Sequence, residues 1–276
     1  MRLVDTHAHL DDDRFRTDVN DAIARAIDAG VTQVITVGTD LPSSRSAVAL
    51  AQRHGSVYAT VGLHPHRAAT YSQAVLGELR DLAAHPRVVA IGETGLDFYR
   101  DLSPRETQRD AFRAQLLLAM EANKPVVVHI RDRRGESQAH DEAIAILRRW
   151  VSELPESACA ESMTRPGVVH CFSGEEREAR DLLGLGFCLG IDGPVTYPNA
   201  KALQAMVTRL PMDSLLLETD CPYLSPQPQR GRRNEPAYLP YIATEVARLR
   251  GEEVQHVGQT TTENARRLFH LPVVLE

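Results

Sequence analysis

The sequence predicts an α/β chain folded as a TIM-type (β/α)8 barrel, regular or distorted, in a single domain spanning residues 1–276. Three observations lead there. Eight short apolar runs recur along the chain, each is followed by a helix-like stretch, and no long Gly/Ser- or Pro-rich linker interrupts them. Continuous apolar runs suit parallel strands covered on both faces, and eight strand–helix units read as a barrel. The alternative is a doubly wound open sheet. No G-x-G-x-x-G follows the first run, which weakens the dinucleotide-binding form of that alternative.

The runs are Arg2–Asp5, Val31–Val37, Val57–Val61, Val88–Ile91, Val126–Val128, Gly167–Val169, Phe187–Leu189 and Leu215–Leu217. The clearest helix lies between the fourth and fifth, in "SPRETQRDAFRAQLLLAMEANK". There Ser103 is the expected cap, Pro104 the first helical residue and Glu106 the partner in a capping box. Phe112, Leu116 and Met120 form its apolar stripe. Two stretches stand outside the alternation. "SPQPQRGRRNEP" reads as a functional loop, and Glu153–Pro166 as a surface insertion.

The composition, 43% hydrophobic and 25% charged, is ordinary for a globular domain. No apolar run approaches the roughly 20 residues that span a bilayer. The N-terminus lacks the pattern of a signal peptide, so a cytoplasmic protein is expected. A net charge of -6 argues against a general basic coat for nucleic acid. It leaves room for a local phosphate site, where bound divalent cations would offset the negative charge. Cys159, Cys171, Cys188 and Cys221 form no C-x-x-C pair and read as reduced core thiols.

The unusual residues fall where the runs finish. His7 and His9 close the first, His64 the third, Glu93 the fourth, His129 the fifth, His170 the sixth, and Glu218 with Asp220 the eighth. The C-terminal ends of barrel strands converge on one mouth. His7, His9, Glu93, His129, His170 and Asp220 are therefore expected to meet there. They are enough for two divalent cations with positions left open for water or substrate. A single strand-end histidine is more often structural; five strands ending in ligand types make a different case. Residues two apart on a strand share a face, so His7 and His9 would grip one ion, while Val4 and Ala8 would face the helices. Glu93 is the natural bridging carboxylate. Cys171 and Cys221 directly follow ligand residues, and alternation would turn both into the core. His54, His85, His140, His256 and His270 read as surface residues. Asp11, Asp12 and Asp13 read as loop or helix-start residues rather than ligands.

Together "DTHAHLDD", "VGLHPH", "IGETGLDFYR", "KPVVVHIRD", "GVVHCFSG", "LLLETDCPYLSP" and "RGRRNEPAYL" make the chain similar to the TatD family of metal-dependent deoxyribonucleases, within the amidohydrolase superfamily. The likeness runs from residue 3 to about residue 270, in the family's motif order. It implies a TIM barrel with a dinuclear centre: His7, His9 and Asp220 on one ion, His129 and His170 on the other, Glu93 between them. By the same resemblance His64 is the substrate-side histidine, near the scissile phosphate or an extra metal. The implied activity is 3′–5′ exonucleolytic hydrolysis of single-stranded DNA with Mg²⁺ or Mn²⁺, although the nitrogen and oxygen donors also suit Zn²⁺. The alternative is a related branch of D-aminoacyl-tRNA deacylases, which hydrolyse an ester. "LGIDGPVTYPNA", with Asp192 and Pro194, and the long loop "IRDRRGESQAHDEA" depart from the family pattern.

Within that reading, Asp220 would orient the attacking water and take its proton. Glu218 would hydrogen-bond a ligating imidazole. Arg131, Arg230, Arg232 and Arg233 are candidate phosphate contacts, and Tyr99 and Tyr223 candidate base-stacking residues. Some relatives in the superfamily bridge their metals with a carbamylated lysine. The only lysines here, Lys124 and Lys201, lie before the fifth run and in a helical stretch, so neither is expected at the mouth.

Overall fold

Eight parallel strands follow one another in chain order in the computed structural model, which describes residues 1–154 and 165–273. They are β1 (Leu3–Ala8), β2 (Val31–Val37), β3 (Val57–Val61), β4 (Val88–Asp97), β5 (Val126–Arg131), β6 (Gly167–Val169), β7 (Cys188–Ile191) and β8 (Leu215–Leu217). The helices between and after them are α1 (Val19–Asp28), α2 (Leu41–Arg53), α3 (Gln73–Ala83), α4 (Arg105–Ala122), α5 (Gln138–Ser152), α6 (Glu176–Gly184), α7 (Lys201–Val207), α8 (Leu239–Arg250) and α9 (Val254–Phe269). The (β/α)8 barrel is therefore present, and its irregularity is local. β1 joins the segment after β8 through one parallel bridge, Ala8–Cys221. Two flanking hydrogen bonds complete the seam: His9 N–H donates to Cys221 O at 2.7 Å, and Asp220 N–H to His7 O at 2.9 Å. The backbone that closes the barrel is thus the backbone that carries three of the expected ligands.

The core has two parts. Val4, Ile35, Tyr58, Val89, Val127, Val168, Cys188 and Leu216, one from each strand, cluster with Phe269 and Leu271 and fill the lower barrel interior. The larger cluster packs the outer strand faces against the helices and includes Ala8, Phe112, Leu116 and Cys221. Val4 therefore faces inward, contrary to expectation, whereas Ala8 does face the helices. The β1–β2 register shifts between Asp5 and Ala8, which breaks strict alternation just before His7.

Four strands run past their apolar runs, among them β7, which reaches Ile191. β1 continues through His7, β5 through His129, and β4 through Glu93 to Asp97. Those residues stand inside strands rather than at their ends. β4 also shifts register against β5 between Ile91 and Thr94, around Glu93. α4 begins at Arg105 with Pro104 as an uncapped N-cap, so the expected capping box is absent. The Ser103 hydroxyl instead accepts from Ala69 N–H and donates to His66 O. Most of the expected insertion at Glu153–Pro166, with Cys159, lies outside the described residues. Among the described residues, no helix is long and apolar enough to cross a membrane.

Candidate metal centre

The inward residues one step above the interior cluster are His129 above Val127, His170 above Val168, and Glu218 above Leu216. All six expected ligands meet in this layer and just above it. Glu93, 2% exposed, lies at the middle. Its two oxygens face different groups. Oε1 is 2.8 Å from His170 Nε2, 2.9 Å from His129 Nδ1 and 3.2 Å from His64 Nε2. Oε2 is 3.4 Å from His7 Nε2 and 3.8 Å from His9 Nε2. Asp220 Oδ1 closes the second group, 3.3 Å from His9 Nε2 and 3.9 Å from His7 Nε2. The His7 and His170 rings stack at 3.8 Å between the two groups.

The donor set suits divalent cations. Every ion-pair partner of Glu93 among the described residues is an imidazole. Imidazole nitrogens also face one another: His7 and His9 at 3.3 Å, His129 and His170 at 3.2 Å. Two lone pairs cannot face each other in a buried site, so each pair of nitrogens shares either a proton or a cation. Burial opposes charge on Glu93, but His170 and His64, with hydrogen bonds from His129 and His170, hold its carboxyl well below the usual range. Burial likewise opposes charge on Asp220, and His9 outweighs it, so this carboxyl also stays ionised.

Hydrogen bonds on the far ring nitrogens fix which atoms face inward. Asp97 Oδ2 lies 3.0 Å from His129 Nε2 and 2.8 Å from His66 Nε2. A proton on His129 Nε2 donates to that carboxylate and leaves Nδ1 free as a donor atom for a metal. His64 is built the other way. Its Nδ1 accepts the His66 backbone N–H at 3.0 Å, so the neutral ring carries its proton on Nε2. Burial pushes His64 down to about 4 despite Glu93, which keeps it neutral. It therefore presents an N–H to Glu93 rather than a lone pair.

Asp5, Asp97 and His66 stand beside the centre and are not among the residues the sequence singles out. Asp5 is buried and accepts from Thr219 N–H at 2.9 Å and from the Thr219 hydroxyl at 2.7 Å, tying β1 to the segment carrying Asp220. Asp97 had a visible signal, since it follows Glu93 by four residues on one strand. Glu218 departs from its expected role. It lies 3.7 Å from His170 Nδ1, beyond hydrogen-bond reach, and accepts instead from Cys171 N–H and the Thr6 hydroxyl.

A sequence model of the TatD-related DNase family matches residues 4–270. The chain belongs to this family. It is 40% identical over 276 residues to the 3′–5′ ssDNA/RNA exonuclease TatD of Klebsiella pneumoniae, covering 98% of this chain and 99% of that one. It is 39% identical over 269 residues to the uncharacterised metal-dependent hydrolase YabD of Bacillus subtilis, covering 98% and 99%. The crystal structure of YjjV, a TatD homologue from Escherichia coli, superposes with a TM-score of 0.88 at 33% identity, covering 98% and 99%.

Around the mouth of this TatD-family barrel, three arginines lie on tyrosine rings. Arg131 is 4.4 Å from Tyr99, Arg230 4.3 Å from Tyr197, and Arg14 4.3 Å from Tyr223. Tyr99 and Tyr223 are nearly half exposed, at 45% and 47%, and the Tyr223 ring is 5.9 Å from His9. Arg232 is exposed and reaches Gln229. Arg233 is engaged elsewhere, with two bonds to Asp18 at 2.7 Å, which removes it from the phosphate candidates. His140 is a second correction. It is buried, with Nδ1 2.7 Å from Asp132, rather than a surface residue. Cys171 is a third: it is half-buried beside Asp192 and Asp220 rather than turned into the core. Cys221 is buried in the core as expected. Asp12 caps a 3-10 turn, accepting from Arg14 N–H, which fits the helix-start reading. Lys124 bonds Val88 O at the opposite end of the barrel, and Lys201 lies on α7, so neither reaches the centre.

Proposed function

We propose that this protein is a metal-dependent nuclease that shortens single-stranded DNA from its 3′ end, using two divalent cations held on either side of Glu93. The observation that carries this reading is the division of the Glu93 carboxylate, with Oε1 among His129 and His170 and Oε2 among His7 and His9. Membership of the TatD-related DNase family and the exonuclease named among its relatives supply the substrate class.

His7, His9 and Asp220 would hold one cation, His129 and His170 the other, and Glu93 would bridge. Bound there, Mg²⁺ or Mn²⁺ would supply an acidified water and polarise a phosphoryl oxygen. Asp220, ionised and half-buried, would accept the proton of the attacking water. With Glu93 drawn onto the cations, the His64 Nε2 proton would be released from that carboxylate to donate to a non-bridging phosphate oxygen. Arg131, Arg230 and Arg232 would contact the backbone phosphates, and Tyr99 and Tyr223 would stack on bases at about 1–3 kcal/mol each. That pairing of cationic and aromatic groups suits an unpaired strand, whose bases are free to stack.

The test is a product ladder from single-stranded DNA labelled at the 5′ end, in Mg²⁺ or Mn²⁺, with and without chelator. Progressive shortening that stops on chelation and resumes on adding the cation is expected. Shortening that survives chelation, or none with either ion, would refute the reading.

A further inference from the structure

Beside the centre, on the side away from His129, lies a second group of potential ligands. Cys171 Sγ and carboxylate oxygens of Asp192 and Asp220 lie within 4.8 Å of one another. These residues come from the segments after β6, β7 and β8. Alternation would turn Cys171 away, as the sequence reading expected. Its backbone instead takes a left-handed φ of 45°, its N–H bonds Glu218, and Asp220 is also left-handed at 52°. These two reversals of the chain bring a thiol between two carboxylates.

Asp192 is what makes this more than a crowded corner. It is 2% exposed, and its Oδ2 is buried without a hydrogen-bond partner. A buried carboxylate oxygen without a partner is costly, and either a proton or a cation on Asp192 removes that cost. No arginine or lysine forms an ion pair with Asp192 among the described residues.

We propose that Cys171, Asp192 and Asp220 form a third cation site, selective for borderline and soft divalent ions such as Zn²⁺ or Co²⁺ over Mg²⁺. One sulfur and two oxygens leave a fourth tetrahedral position for water, the usual arrangement at an open zinc site. Thiolate discriminates against Mg²⁺ and Mn²⁺, which favour oxygen donors. The site rests on the proposed centre through Asp220, which belongs to both, so a cation here extends that centre along one wall of the mouth. Binding would release the Cys171 thiol proton and the Asp192 carboxyl proton to solvent and form sulfur–metal and oxygen–metal bonds in their place.

The experiment is Co²⁺ titration of the whole chain, followed by metal content after dialysis and by the near-ultraviolet thiolate-to-cobalt absorption. Cys171→Ser and Asp192→Asn are titrated alongside. Wild type should bind one more equivalent than either variant and show the thiolate band, and Cys171→Ser should lose the band while keeping the other two equivalents. With Mn²⁺, all three proteins should bind the same number. Two equivalents of Co²⁺ in wild type with no thiolate band, or a band that persists in Cys171→Ser, would overturn this site alone. Failure to bind even two would instead count against the main centre.

Discussion

At the centre, a hydrogen bond on the outer nitrogen sets which atom His129 and His64 turn to Glu93. Asp97 holds the proton of His129 Nε2, and the His66 N–H occupies His64 Nδ1, so two neighbouring histidines present opposite faces to Glu93. Asp97→Asn should weaken Mn²⁺ binding by about 10- to 100-fold with little change in thermal unfolding, since outer partners of metal ligands carry effects of that size. Unchanged affinity would remove Asp97 from its positioning role. His129→Ala should abolish chelator-sensitive DNA shortening while leaving the circular dichroism unchanged. At this scale the sequence was informative for residue types whose bland roles are few, such as H-x-H after an apolar run. It was silent on tautomers, because those depend on partners from other strands. His140 was misread for the same reason: its partner Asp132 lies across a loop, where no periodicity connects them.

The strands show why their number was legible and their length was not. Hydropathy marks β4 only as far as Ile91, because Glu93, Thr94 and Asp97 are polar. These residues are nonetheless buried, as they face the histidine cluster or pack between strands. Buried polar residues thus shorten the apparent strand. The register shifts at β1 and β4 are equally invisible to alternation, and they re-aim the side chains around His7 and Glu93. α4 was read correctly along its apolar stripe and wrongly at its cap. Phe112, fully buried against the outer strand faces, should cost about 3–5 kcal/mol of stability when replaced by alanine, measured by denaturant unfolding. Gly190 on β7 gives a sharper test of the interior. A Cβ there would collide with the Glu218 carboxylate, so Gly190→Ala should displace Glu218, loosen the Cys171 turn and reduce activity. An alanine variant with unchanged stability and turnover would contradict that packing.

Across the molecule, the barrel is held shut by contacts between its two ends in sequence. The Ala8–Cys221 bridge and the Asp5–Thr219 bonds join β1 to the segment after β8. Farther out, Asp18 accepts from Arg233 and Arg25, and Arg25 also bonds Glu235. Arg233 opposes burial of the carboxyl and, with Arg25, holds Asp18 down at about 2 against an ordinary 3.8. A depressed carboxylate stabilises the fold fully above its unfolded pKa and loses that stabilisation as pH falls toward its folded one. Asp18→Ala should therefore cost about 0.2–1 kcal/mol at neutral pH, the range for exposed pairs, and the difference from wild type should vanish between pH 3.8 and about 2. The barrel itself was legible because eight apolar runs needed parallel neighbours. Its closure was not, since the seam depends on single contacts between residues more than 200 positions apart. Glu93 joins the two proposed cation sites, and equilibrium dialysis with Mn²⁺ tests this most directly. Wild type should retain two ions per chain and Glu93→Gln should lose tight binding of both; equal retention by the two proteins, or a single ion in wild type, would contradict it.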